Sequence, residues 1–481
     1  MQPTESETYR KEKLTPQIVH IGFGAFHRAH QALYTDELAR LGNSNWGICE
    51  INLLGGQELI KNLRTQDHQF HVIEKGSNVP VIKTVNSVCG SLHIALDGSE
   101  AVVEQIAAPT TRIVSITITE KGYGISLQTK RLDPTCDFIR IDLDNFNSPK
   151  SAIGCIVKGL QLRKQRNLSP ISVLSCDNMP ENGVITRNAV VDFAQTVDPE
   201  LAIWIEQCVT FPSTMVDRIV PALTPESQQE IDTLLAFHEP CGIICEPFRQ
   251  WVIEDNFAAG RPEWELVGAE LVENVLPYEE MKLRMLNGSH SFLAYLGYLA
   301  GYEHIADCME DEQFKQAAYR LMMSEQAVTL NMPDNVNLSA YAHSLIERYC
   351  NPNIKHRTWQ IAMDGSQKLP QRLLESVQQH LKADRAYPFT ALAIAAWIKY
   401  VGGVDEQGNV IDVRDPQATQ LKADFDRHTH VDARVTHMLN NQSIFPCEIG
   451  TNVSFIKAIT ESSLLLDRVG AKKAVAFLVQ Q

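Results

Sequence analysis

Gln17-Ile18-Val19-His20-Ile21-Gly22-Phe23-Gly24-Ala25-Phe26-His27-Arg28-Ala29-His30 is the stretch on which the fold turns. An apolar run ends in two glycines, and residues 31–41 then repeat apolar side chains at helical spacing up to Gly42. Strand, glycine turn and helix in that order form the opening βα unit of a dinucleotide-binding domain. Gly22 would allow the tight turn. Gly24 would let the backbone approach a pyrophosphate at the helix start, where free N–H groups and the helix dipole favour an anion. Cofactor contacts are therefore expected from Gly22, Phe23, Gly24, Ala25, Phe26 and Arg28. His27 stands where the full fingerprint has its third glycine, so the same residues also fit an ordinary strand-to-helix turn.

Strands and helices keep alternating downstream. Residues 46–52 read as the second strand, and Glu50 near its end is expected to accept from both ribose hydroxyls. A carboxylate there repels a 2′-phosphate and favours NAD over NADP; an ordinary charged strand residue is the other reading. Residues 111–119 read as a further strand ending at Thr119, which is expected to contact the cofactor, followed by a 120–124 loop placed to cover it. A helix over 152–164 leads to a strand at 171–174 and a polar loop at 175–183. Ligands bind beyond the carboxyl ends of parallel strands, which makes Asn178 a functional candidate. Asp177 and Asn178 also fit a turn and helix cap. Asp217-Arg218 sits inside an apolar segment, either as a structural ion pair or as a carboxylate that orients a substrate.

With 481 residues the chain exceeds one ordinary core, and the pattern changes to helices near residue 277, so domains are expected at 1–277 and 278–481. A net charge of −15 argues against a nucleic-acid partner. The first sixteen residues lack the apolar core of a signal peptide, and the apolar runs 292–300 and 391–398 are too short to span a bilayer. Eleven cysteines without a framework fit reduced thiols and a cytoplasmic location. Cys241 and Cys245 form a lone pair with no histidine cluster, so no metal site is expected.

The second informative stretch is Lys282-Leu283-Arg284-Met285-Leu286-Asn287-Gly288-Ser289-His290-Ser291, which opens an apolar helix. A burying helix carries Lys, Arg, Asn and His together only if each is paired or used. On an ideal α-helix Lys282 and His290 are about 12 Å apart along the axis, so they would grip two parts of one elongated polar ligand. An amine that loses hydration becomes a usable acid or base near neutrality. The bland alternative is a snorkelling lysine, a capping asparagine and a satisfied core histidine. Residues 358–370 read as a polar loop, ringed by Arg357, Lys368 and Arg372, which either face an anionic substrate or are solvated cations.

Residues 22–30, 175–183 and 282–291 together resemble the polyol-specific long-chain dehydrogenase/reductase (mannitol dehydrogenase) family, over nearly the whole chain. The resemblance implies an α/β chain: an N-terminal Rossmann-like doubly wound domain and a mostly α-helical C-terminal domain. It also implies metal-free hydride transfer between NAD(H) and a secondary alcohol or ketone. Lys282 matches the family's general acid and base, and Asn178 and Asn287 the pair that holds a developing alkoxide. His290 matches a substrate-hydroxyl contact, and Asp217 a carboxylate lining the site. Arg357, Gln360 and Lys368 fall in the substrate loop, where Gln360 replaces an arginine of the polyol-oxidising relatives. Residues 281–302 and 356–372 resemble the branch that reduces hexuronate ketones, so D-fructuronate reduction to D-mannonate is the expected activity. Oxidation of a polyol such as mannitol or arabinitol, and a non-catalytic nucleotide sensor, are the alternatives. The partner implied is a small sugar acid or polyol, with no nucleic acid and no membrane; oligomeric state is left open.

Overall fold

The computed structural model describes residues 9, 11–42, 44–76, 79–126, 129–334 and 336–481. The chain forms two compact units, Met1–Leu276 and Pro277–Gln481.

The first unit is built on five parallel strands, Thr15–Ile21, Trp46–Asn52, Val88–His93, Ile113–Ile116 and Ser172–Ser175. In space they run third, second, first, fourth, fifth. This is the doubly wound order, whose direction reverses beside the first strand. The strands are apolar on both sides because both sides are covered. Val19, Ile21, Val114, Ile116 and Val173 face a core with Ile153, Ile156 and Leu160 of the helix Ala152–Gln165. Ile18, Ile48, Ile113 and Leu174 face a second core with Leu33 and Leu38 of the helix Gln31–Arg40, backed by Trp251 and Trp264.

Two departures from the sequence reading bear on function. The fourth strand covers only Ile113–Ile116, because the chain leaves the sheet at Thr117 and Thr119 takes a φ of +61°. Two three-stranded sheets were not foreseen: Thr214–Asp217 with Gln250–Glu254 and Glu270–Val272, and Ile243–Cys245 with Phe70–Glu74 and Val81–Val85. Strands this short give too few alternations to read.

Helices make up the second unit. Ser289–Leu299 and Pro388–Val401 are apolar almost all round and form its centre, with Phe292 against Phe389 and Tyr295 against Tyr400. The expected loop at 358–370 is largely two short helices, Thr358–Ala362 and Gly365–Leu369. No helix among the described residues is long and apolar enough to cross a membrane.

Among the described residues of this unit three segments are wound as π-helix: Lys282–Gly288, Leu321–Gln326 and Pro370–Leu374. The second and third both pack on the first. Both turns meet it at Gly288, where a Cβ would lie 2.3 Å from Gln326 Nε2 and 2.8 Å from the Arg372 carbonyl oxygen. Gly288→Ala is therefore expected to destabilise the protein by about 1–3 kcal/mol through overpacking. A urea denaturation midpoint equal to that of the parent would contradict this packing.

Candidate active site

The glycine turn lies at the carboxyl end of the first strand, at the sheet's reversal point. Gly22 has a φ of +115°, and a Cβ there would lie 2.1 Å from the Thr117 carbonyl oxygen, so the fold itself excludes any other residue. Gly24 is different: its Cβ would meet no protein atom nearer than 3.7 Å. The fold does not need that glycine, and the open approach fits a dinucleotide phosphate. The turn is held by Asn52, whose Oδ1 accepts from the Phe23 N–H at 2.8 Å. Phe23's ring is core, edge-on to Phe70, so only its backbone faces the turn. Ala25 and Phe26 are half-buried, and Phe26 stacks on His30. Arg28 is buried, donating to the carbonyls of Gly24 and Cys241. Its guanidinium braces the turn from within rather than standing at its surface.

Glu50 does not meet a ribose. It is fully buried, two residues short of the strand's end, with Oε1 2.7 Å from His27 Nε2. His27 stacks on His20 at 3.4 Å between ring centroids. His20 in turn contacts Ser115 Oγ and Thr117 Oγ1. Burial pushes the Glu50 carboxyl up to about 8 and both imidazoles down to about 3, so the cluster is neutral. The side chain in the third-glycine position thus fills the space under the turn, and it takes Glu50 with it. The preference for NAD inferred from that carboxylate loses its basis.

Polar residues collect at the ends of the neighbouring strands. Asp177, buried, accepts from the N–H groups of Ile118 and Thr119 and from Tyr123 Oη. It thereby holds Thr119 in a backbone region that β-branched residues rarely adopt, and such strain is kept where surroundings enforce it, often at functional sites. Asn178, next in the chain, is exposed beyond the fifth strand. Asp217 ends the strand Thr214–Asp217 and is buried, while Arg218 pairs with Glu74. Asp177 as a clamp was signalled only by its place after an apolar strand.

In the second unit Lys282, Asn287 and His290 are all about 95% buried. On an α-helix Lys282 and Asn287 would point about 140° apart. The π turn, closed by i→i+5 hydrogen bonds, holds more residues per turn than an α-helix and so changes that angle. The ideal-helix spacing assumed from sequence therefore does not hold. His290 follows on the α-helical continuation. Its ring lies 4.5 Å from Tyr349 and 5.3 Å from His356, and its Nε2 has no hydrogen-bond partner among the described residues. Burial, then His356, Arg348 and Arg372, hold His290 well below the usual imidazole range. Burial, then Arg372 and Lys368, lower His356 to about 4. Both are neutral at neutral pH, each with one N–H and one lone pair to offer a hydroxyl.

The substrate-loop residues divide. Lys368 donates to the Met363 carbonyl at 2.6 Å and lies near His356. Arg357 and Gln360 are exposed, Arg357 standing 3.9 Å from Glu303. Arg348, which the sequence reading missed, is buried at the end of the helix Leu338–Tyr349. Only a charged residue on that helix's apolar stripe marked it. Arg284 is structural, bonded to the Thr329 carbonyl.

A sheet wound in this order, open to a phosphate at its first turn, defines a dinucleotide-binding α/β protein. Comparison with known proteins narrows the class. The mannitol dehydrogenase Rossmann-domain model matches residues 16–266, and the mannitol dehydrogenase C-terminal-domain model residues 274–466. The chain belongs to the mannitol dehydrogenase family. It is 53% identical over 468 residues to the uncharacterized oxidoreductase YdfI of Escherichia coli, covering 97% of this chain and 96% of that one. It is 51% identical over 478 residues to the D-mannonate oxidoreductase of Escherichia coli, covering 99% and 98%. The structure of Pseudomonas fluorescens mannitol 2-dehydrogenase with NAD and D-mannitol matches with a TM-score of 0.86 at 32% identity, covering 98% and 96%. As a family member the chain is an NAD-dependent oxidoreductase acting on alcohol and keto groups.

The two glycines should separate in experiment. Gly22→Ala should cost more than about 1 kcal/mol of stability, because its φ is positive and its Cβ meets backbone. Gly24→Val should leave the melting temperature near the parent's and weaken NADH binding in a fluorescence titration. Unchanged affinity in Gly24→Val would remove the phosphate from that turn. Glu50 gives a pH test. Its proton is held to about 8 in the folded state and to about 4.3 when unfolded. Its contribution to stability is therefore full below the unfolded value and lost as pH rises through 8. Glu50→Gln should flatten the fall in urea midpoint between pH 5 and pH 8; identical slopes would contradict the neutral cluster.

Proposed function

We propose that the chain interconverts a hexuronate ketone and an aldonate, D-fructuronate and NADH giving D-mannonate and NAD, with Lys282 as general acid and base. The observation that carries this reading is the pair of neutral imidazoles, His290 and His356, set among Arg348, Arg372 and Lys368. Imidazoles suit the hydroxyls of a sugar chain, and fixed cations beside them suit a carboxylate. Identity of 51% to a D-mannonate oxidoreductase along nearly the full length, against 32% to a mannitol 2-dehydrogenase, supports the same choice.

Bound NAD(H) supplies the hydride donor or acceptor. In reduction the Lys282 ammonium gives its proton to the ketone oxygen, which becomes the alcohol hydroxyl, and solvent reprotonates the amine. In oxidation the neutral amine takes the hydroxyl proton. Asn287 is assigned a hydrogen bond to the developing alkoxide. His290 is assigned a substrate hydroxyl. An ammonium in this role polarises the carbonyl as a metal ion does in other enzymes.

Oxidation of an uncharged polyol is the second reading. It is favoured by the match to the mannitol 2-dehydrogenase structure. Steady-state kinetics on D-mannonate and D-mannitol with NAD decide: a larger kcat/KM for mannitol removes the uronate assignment. Lys282→Ala should lower kcat by about 10²–10⁴-fold while NADH still binds. In the parent, oxidation should rise with pH through one group, and that rise should vanish in Lys282→Ala. A variant keeping both rate and pH profile would contradict the role of Lys282.

A further inference from the structure

We propose that Arg372 recognises the carboxylate of the substrate and so selects an aldonate or uronate over a neutral polyol. This rests on the uronate reading above and names the residue that makes the choice. Arg372 lies in the π turn Pro370–Leu374, pressed against the Lys282–Gly288 turn, with its carbonyl oxygen 2.8 Å from where a Gly288 Cβ would be. Its Nη1 donates to Ser291 Oγ at 3.2 Å, and Ser291 Oγ donates to the Asn287 carbonyl at 3.1 Å. The guanidinium is thus fixed one helical turn past Asn287. It is a charged neighbour of both His290 and His356. Each of those rings keeps a nitrogen, His290 Nε2 and His356 Nδ1, with no hydrogen-bond partner among the described residues. Unsatisfied polar edges and positive charge coincide here, as recognition of a polar anion requires.

Chain length agrees. The ketone carbon of a 2-keto-hexuronate and its carboxylate carbon are four bonds apart, roughly 5 Å in an extended chain. Asn287 and Ser291 are four residues apart, roughly 6 Å along a helix. A substrate whose reacting oxygen meets Asn287 brings its carboxylate alongside Ser291, where the guanidinium's fork can take both oxygens.

The test measures kcat and KM of full-length Arg372→Met and Arg372→Lys on D-mannonate and on D-mannitol with NAD. Arg372→Met should raise KM for mannonate by about 10- to 100-fold, with kcat little changed and kcat/KM for mannitol held within about threefold. Arg372→Lys should fall between, since a point charge cannot form the fork. Guanidinium chloride at millimolar concentration should restore mannonate turnover by Arg372→Met and leave mannitol turnover unmoved. Parallel loss on both substrates, in Met and Lys variants alike, would make Arg372 a packing residue and overturn the proposal. Unchanged mannonate kinetics would overturn it too. A parent enzyme that prefers mannitol would instead remove the substrate reading, and the proposal with it.

Discussion

Five-residue hydrogen-bonded closure of the Lys282–Gly288 turn is the constraint on which the second unit depends. It sets Lys282 and Asn287 at a different angle from that of an α-helix, and hands the chain to an α-helix at Ser289 so that His290 follows. The winding survives because two further π turns press on it, and because Gly288 leaves room for Gln326 and the Arg372 backbone. Packing and chemistry are therefore one arrangement: the contact that makes Gly288 necessary also brings Arg372 beside the helix carrying the polar side chains.

The first unit solves a different problem. A turn that receives a pyrophosphate must expose backbone N–H groups and still stand on a solid floor. Gly22 gives the close approach to Thr117, and the stacked His20 and His27 with Glu50 fill the volume beneath. Three ionisable groups lie buried there at low cost because burial keeps each of them neutral. On the far side Asp177 ties the fifth strand's end to the backbone of Ile118 and Thr119, so the loop beyond the fourth strand is set by a carboxylate on its neighbour.

How much of this the sequence carried varies with the range of the interaction. Strand, turn and helix at 17–41 were legible because their signals are local: apolar alternation, two glycines, helical spacing. The second strand was placed at its true bounds for the same reason. Glu50 was misjudged because its neighbour His27 lies 23 residues away in sequence, and no local pattern says which face of a buried strand meets it. The composition of 282–291 marks the Lys282 turn, but a uniform 3.6-residue period gives it the wrong geometry. Arg348 went unseen because a buried arginine on an amphipathic helix reads as a surface charge. The loop at 358–370 was read from Gly365 and its polar residues, yet packing wound most of it into helix.

The central claim is that one amine, Lys282, carries the proton. Chemical rescue tests it most directly: Lys282→Ala assayed in the oxidative direction with a series of small primary amines of graded basicity. Added amines should restore turnover, and the restored rate should follow amine basicity. A variant that binds NADH yet gains nothing from any amine, or gains equally from all of them, would contradict it.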